Sequence, residues 1–596
     1  MHHLTNQHAP AIPACTAKPA WRSAIAIFAA IVATTPLIGG CTFIWETESK
    51  AKLDLGVDAR TPSDNHAAVF RDTIASYAYY VGTRPLRVRG YGLLVGLGTK
   101  GSRDCPKAIR RALLDYIHKR HDFVSNVVGT TNVTPEQLVD SIDTAVVAVY
   151  GEIPSGAVRG VEFDVRVAAL PGTGTKSIRG GRLYTVELRR FLDTPTRGSI
   201  AGHVVAVAAG SVFLNPFSGG DSATRTNELD GIVINGGMVT RSRKAMLALV
   251  SPSHARAKMI QDRINSYFGR DDHVANATSP RTIEITLPER FRDDVDHTLA
   301  LIRNLYLPDN ARFATARASE LARDLIKLDR PHAQIALCLE GLRGHALPFL
   351  DDLYDREEHH VSFYAAAAGV RLGSHLAVDV MGMHTNDPLC PFRYQAIRAL
   401  GRSDGIAAAA TALRRLLDDK DMRIRIAAYE ALVTRGDRVI ESTPVGGDAF
   451  ILDLVPSTRP SFIYAKRTGA KRIAVFGKRP SCMPPVLYTA PNGALTLSAL
   501  AGDKTLTAMR ITPWGDASPP VAAPLDVVAL IELLGGRAEV RKGKILGLGL
   551  DYAAVVGAIQ HLCDDQSVTA AFVFEQPNMA ELFGPPKPAE RPESEL

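Results

Sequence analysis

Val88–Thr99 reads V-R-G-Y-G-L-L-V-G-L-G-T, an apolar Leu-Leu-Val centre set among Gly90, Gly92, Gly96 and Gly98. Glycine at such density inside an apolar run marks close backbone approach and a tight turn rather than a helix. The order excludes the usual phosphate cradles. A Walker loop needs Gly-Lys followed by Ser or Thr at the start of a helix, whereas Thr99-Lys100-Gly101-Ser102 inverts it. Gly90, Gly92 and Gly96 also miss the dinucleotide fingerprint by one residue. A strand-turn-strand is the reading that fits.

Outward from this stretch, the segment 68–312 carries short β signals and a few helices. Cys105–Arg120 repeats Ile109, Leu113, Leu114 and Ile117 on one helical face. Asp143–Tyr150, Val161–Ala169 and Val204–Ala209 are β-branched runs bounded by turn residues, hence strands. Met246–Phe268 alternates first as a strand and then as a helix. Thr282–Leu287 is a clean alternating strand, and Asp294–Tyr306 an amphipathic helix. These make an α+β domain.

Near residue 313 the register changes. To about residue 440 strand signals vanish and Ala, Leu and Arg dominate helices at Glu320–Leu328, His332–Leu342, Val361–Leu372, Phe392–Leu400, Ile406–Leu417 and Ile424–Val433. Ala396-Ile397-Arg398-Ala399-Leu400 returns 32 residues later as Ala428-Tyr429-Glu430-Ala431-Leu432. A period in the thirties points to a HEAT-like helical solenoid; chance repetition in a helical bundle is the alternative. Strands resume within 441–583 at Ala449–Leu454, Arg472–Phe476, Val486–Ser498 and Thr505–Arg510. Helices at Asp526–Leu534 and Tyr552–Leu562 precede a last strand at Ala570–Phe574. Residues 584–596 are rich in Pro and Glu and read as a disordered tail.

At the N-terminus, an apolar run Ala24–Ile38 follows Lys18 and Arg22 and ends in Pro36-Leu37-Ile38-Gly39-Gly40-Cys41, with no acidic residue before Glu46. That is a bacterial export signal over 1–40, too short for a spanning helix of roughly 20 apolar residues. Ile-Gly-Gly-Cys resembles a lipobox, making Cys41 the expected lipidation site and 41–67 a tether. A plain cleaved signal and an uncleaved anchor are the alternatives. The location this implies is the periplasm, lipid-anchored to the envelope.

The 596 residues suggest about three or four domains, and 46% hydrophobic with 22% charged residues is an ordinary globular balance. A net charge of +7, about +5 without the signal, is no nucleic-acid footprint. Five of the seven cysteines, Cys105, Cys338, Cys390, Cys482 and Cys563, lie beyond Cys41, with no Cys-x-x-Cys pair for a structural zinc or a redox motif. Asp351–His360 gathers carboxylates and imidazoles that could hold a divalent metal. Their place between helices reads as a solvated charged turn. Ser177-Ile178-Arg179-Gly180-Gly181-Arg182 is a basic glycine turn, suited to an anion or to a subunit contact. No nucleophile triad or acidic pair stands out, so neither catalysis nor a cofactor is expected.

Taken in order, these turns resemble the bacterial flagellar P-ring protein family. Arg89-Gly90-Tyr91-Gly92-Leu93-Leu94-Val95-Gly96-Leu97 is similar to its N-terminal IGYGLVVGL signature, and Thr144–Val149 with Val161–Ala169 to two following strands. Lys176–Leu183 (KSIRGGRL) is similar to its KSLRGGTLL segment, while Ile232–Gly237 matches a turn of the family more loosely. Leu525–Leu534, Ala553–Leu562 and Ala570–Phe574 resemble its C-terminal elements, which makes the helical region an insert. The Thr-Gly-Asp that often follows the signature is replaced by Thr99-Lys100-Gly101.

The resemblance implies a structural subunit of a homo-oligomeric ring around the flagellar rod, near peptidoglycan and the outer ring proteins. Gly90, Tyr91, Gly92, Gly96, Ser177, Arg179, Gly180 and Gly181 are then the candidate assembly and turn residues. Cys482 and Cys563, each beside a strand in a compartment that permits oxidation, form a candidate disulfide; two buried free thiols are the alternative. The competing function is an envelope lipoprotein adaptor that binds another envelope protein through its helical repeats.

Overall fold

The computed structural model describes residues 68–119, 134–194, 198–214, 228–269, 272–403, 405–447, 449–490, 493–511, 517–541 and 544–575. The signal, Cys41, the tether and the tail lie outside the described residues. Among the described residues, ten strands build the first part: β1 (Ala78–Val81), β2 (Leu86–Val95), β3 (Ala145–Ile153), β4 (Glu162–Ala169), β5 (Arg182–Thr194), β6 (Gly198–Ser211), β7 (Asp230–Val239), β8 (Ala245–Leu249), β9 (Ala275–Ala277) and β10 (Thr282–Ile285). Six of them close into an antiparallel barrel in the order β2-β3-β4-β7-β6-β5. Alternation on β2 sends Leu94 into the barrel core with Val147, Val165, Val167 and Leu188. Its neighbour Leu93 faces outward, where α1 (Lys107–His118) and α2 (Pro135–Val139) cover it with Leu113, Ile117 and Leu138.

The remaining four strands pair in the order β1-β8-β10-β9. Their apolar face is sealed by α3 (His254–Phe268) and α4 (Val295–Asn304), through Ile260, Ile264, Leu299 and Ile302.

Several strands differ from the sequence reading, β5, β6 and β7 among them. β5 has no clear signal in the chain, because Glu187, Arg189 and Arg190 break its apolar alternation; the pairing of β5 with β6 shifts register three times. β6 runs well beyond 204–209 at both ends. Ile232–Gly237, matched as a turn, lies within strand β7. The cause is a bulge: Asn235 sits at φ 48°, the β4–β7 register shifts between Phe163 and Val165, and the Asn235 amide donates to Asp164 Oδ1 at 2.7 Å.

Eight α-helices follow among the described residues: α5 (Ala311–Leu325), α6 (His332–Gly341), α7 (Leu347–Tyr354), α8 (His359–Arg371), α9 (His375–Asn386), α10 (Arg393–Gly401), α11 (Ala407–Arg415) and α12 (Met422–Thr434). The sequence reading contains neither α7 nor α9. Asp351 and Asp352 lie exposed on α7 rather than in a turn. The 32-residue echo is physical: α10 and α12 pack together, and a Cβ on Gly401 would lie 2.8 Å from Ala431 Cβ.

The last part holds β11 (Glu441–Val445), β12 (Phe450–Val455), β13 (Phe462–Ala465), β14 (Arg472–Phe476), β15 (Val486–Thr489), β16 (Leu495–Ala499), β17 (Leu506–Arg510), β18 (Val521–Ala523), α13 (Val527–Gly535), the short pair β19 (Val540–Arg541) and β20 (Lys544–Ile545), α14 (Tyr552–Asp564) and β21 (Ala571–Phe574). Apart from its exposed edge strand β11, the sheet β11-β12-β14-β13-β21 is buried on both faces. One face gives Phe462, Tyr464 and Phe476 to the core of the helical region. The other gives Phe450, Ile463 and Val475 to a core shared with α13, α14 and the sheet β15-β16-β17-β18. That second core also takes in Phe213 and Ile234 from the barrel. The α+β class therefore holds, with the helices wedged between two sheet-bearing parts.

Asp294 and Asp453 fasten the helices at each end. Asp294, just before α4, receives Arg371 at 2.5 Å and Arg402 at 2.8 Å. Asp453 on β12 is fully buried and accepts from Tyr429 of α12 at 2.5 Å, Ser442 at 2.5 Å and Arg472 at 2.8 Å.

Candidate assembly site

The glycines of β2 are explained by β5. A Cβ on Gly90 would stand 2.4 Å from the Glu187 carbonyl oxygen, and one on Gly92 would stand 3.1 Å from Leu183 Cδ1. Both fall where the β2–β5 register shifts between Arg89 and Leu94. Barrel closure therefore depends on bare backbone at these two positions. Tyr91, between them, points outward and is 41% exposed.

The chain leaves β2 through a turn in which Gly96 and Gly98 have φ of +78° and +64°. Asp143 holds it: Oδ2 accepts from the Gly96 amide at 3.3 Å, Oδ1 from the Gly98 amide at 2.5 Å, and its carbonyl from the Leu97 amide at 3.0 Å. In the sequence Asp143 reads only as the first residue of a strand. An acid directly before an apolar run was the available signal.

The basic glycine turn lies against this first turn, so two segments 80 residues apart form one structure. Leu97 covers Gly181, and the Lys176 amide donates to the Lys100 carbonyl at 2.8 Å. Ser102 and Asp104 reach the Gly174 amide at 3.1 and 2.9 Å. Ser177 is buried and accepts the Arg179 amide at 3.1 Å, and Gly180 takes φ +76°.

The two arginines part company. Arg182 is exposed, whereas Arg179 is half-buried and lies 3.7 Å from Glu228. Arg179 also borders a cleft of about 470 Å³ between barrel and C-terminal part, lined by Phe213, Tyr488, Asp551 and His561. Its nearest carboxylate and the cleft it borders belong to its own chain.

The two cysteines of the candidate disulfide, Cys482 and Cys563, stand as free thiols in the structure. Burial pushes their pKa values up to about 11 and about 12, and Cys482 lies close enough to add to the shift at Cys563. A protonated thiol is a poor nucleophile for exchange.

One part of the chain is similar to known proteins. The family model described as Flagellar P-ring protein matches residues 73–314, which span the barrel, the four-stranded sheet and the start of α5. Residues 73–314 are similar to the flagellar P-ring family. A model for HEAT repeats matches residues 382–443, supporting the repeat reading of the helical insert.

Among similar proteins, the Flagellar P-ring protein of Campylobacter lari is 30% identical over 234 residues, 38% of this chain and 60% of that one. That of Geobacter sulfurreducens is 30% identical over 249 residues, 40% of this chain and 61% of that one. That of Helicobacter pylori strain P12 is 28% identical over 250 residues, 40% of this chain and 63% of that one. The chain thus spans about three-fifths of these P-ring relatives, and the P-ring model ends at residue 314, where the helical region begins.

Proposed function

We propose that this chain is a structural subunit of the flagellar basal body, assembling in many copies into a P-ring-type ring around the rod. The observation that carries the reading is the match of residues 73–314 to the Flagellar P-ring protein model. Closure under cyclic symmetry needs a heterologous contact repeated between neighbours. In this reading the exposed rim of the double turn, with Gly98, Gly180 and Arg182, presents that contact. The work is mechanical and calls on no catalytic group or cofactor.

The proposal extends to the envelope. Lipidation of Cys41 would hold each subunit at a membrane surface, near peptidoglycan and the outer ring. Several acyl chains on one cysteine satisfy the two-signal requirement for stable anchoring. The helical insert supplies an additional surface for a neighbour.

Two variants test the assembly surface. Arg182→Glu is expected to leave the folded subunit intact and to lower ring yield, whereas Arg179→Glu should act inside the subunit. Normal ring yield from a folded Arg182→Glu protein would remove this rim from the contact. Mass spectrometry of the mature N-terminus is expected to find acylated Cys41, and an unmodified start elsewhere would refute the anchor.

A further inference from the structure

His359 opens α8, His384 lies near the end of α9, and Cys390 sits in the turn leading to α10. One ligand atom from each falls within 4.8 Å of the other two. His384 and Cys390 are buried while His359 is exposed, so the group opens to solvent on one side.

Hydrogen bonding decides the state of His384. The Ser362 hydroxyl donates its one proton to the Tyr354 carbonyl at 2.8 Å. Ser362 Oγ must then accept from His384 Nε2, 3.1 Å away. The ring is thus protonated on Nε2 and carries its lone pair on Nδ1, which faces Cys390 Sγ at 3.3 Å. A fourth donor, Asp387, stands outside that group of three, beside His359. Asp387 uses Oδ1 to accept the Leu389 amide at 2.9 Å and turns Oδ2 toward His359 Nε2 at 3.9 Å.

We propose that His359, His384, Asp387 and Cys390 form a zinc site that fastens α8 and α9 to the turn before α10. Thiolate with imidazole selects zinc over magnesium or calcium. In a tetrahedral zinc site, the edge between a sulfur and a nitrogen ligand is roughly 3.5 Å, close to the Cys390–His384 spacing. On binding, the S–H bond of Cys390 breaks, its proton leaves to solvent, and the sulfur lone pair forms the bond to zinc. The imidazoles and the carboxylate donate lone pairs without releasing a proton. The Ser362–Tyr354 chain is the outer support that holds the His384 ring in the ligating tautomer.

The test uses the mature chain without a histidine tag, loaded with zinc and dialysed, then reloaded with cobalt. About one zinc per chain is expected, together with a thiolate-to-cobalt charge-transfer band that disappears in Cys390→Ser. Because Cys390 is buried, a second variant is needed: His359→Ala, at an exposed position, should keep its circular dichroism and bind cobalt about tenfold or more weaker. Absence of retained zinc and of the band in the parent protein would overturn the site, leaving a thiol–imidazole hydrogen bond. Persistence of the band in Cys390→Ser, or unchanged cobalt affinity in His359→Ala, would overturn it equally.

Discussion

Leu97 rests on Gly181 so closely that a Cβ built on Gly181 would lie 2.6 Å from Leu97 Cδ2. This contact joins the turn after β2 to the basic glycine turn. Gly181→Ala is expected to destabilise the fold by about 1–3 kcal/mol through overpacking. Leu97→Ala alone should cost about 2–5 kcal/mol. The double variant should lose less than the sum, because truncating Leu97 makes room for the added methyl. Urea unfolding of the four proteins measures this; strict additivity would show that the two turns are not mutually braced.

Asp453 ties the helical insert to the C-terminal sheet. Its carboxylate is fully buried and serves Tyr429, Ser442 and Arg472 together. Asp453→Ala leaves a partly buried guanidinium and a buried phenol without their acceptor, and should cost about 3–5 kcal/mol. Asp453→Asn, which keeps an acceptor oxygen, should cost less. Denaturant midpoints compare the two; equal losses would mean that the retained acceptor contributes nothing there.

Asp418 gives a pH signature. Hydrogen bonds from the Thr458 amide, at 2.6 Å, and from the Thr458 and Ser457 hydroxyls hold its pKa below the usual aspartate value. A depressed folded-state pKa contributes stability that is fully present above the unfolded value of about 3.9 and is lost as pH falls through the folded value. Asp418→Asn should therefore flatten the acid limb of the stability curve below about pH 4. An unchanged slope would show that Asp418 ionises alike in both states.

Thiol mapping separates the two readings of the C-terminal cysteines. With pKa values of about 11 and about 12, Cys482 and Cys563 should resist alkylation in the folded protein at neutral pH and react once it is unfolded. Recovery of a linked peptide from freshly exported protein would instead establish the bond.

Much of this architecture is legible in residue patterns. Arg472–Phe476 matches its strand to the residue, and α4, α13 and α14 are marked by apolar spacing on one face. The segments that escape share a physical cause. β5 carries charges on a barrel wall that bulges, so its alternation fails, and β7 hides a strand behind the glycines of its bulge. α7 is only two turns long and shows just Leu350, Leu353 and Tyr354 on its buried face, and α9 places His384 and Thr385 where an apolar stripe would continue.

The site follows the same rule. Gly90, Gly92 and Gly180 are visible because backbone geometry demands glycine, but nothing local says that residue 97 covers residue 181. The meeting of His359, His384 and Cys390 depends on three successive helices and has no motif in the chain.

Electron microscopy of basal bodies isolated from cells carrying a tag on this chain tests the central claim most directly. Labelled density is expected in a closed ring around the rod, absent from basal bodies of a strain lacking the gene. A complete P ring in that strain, with the tag found elsewhere in the envelope, would contradict it.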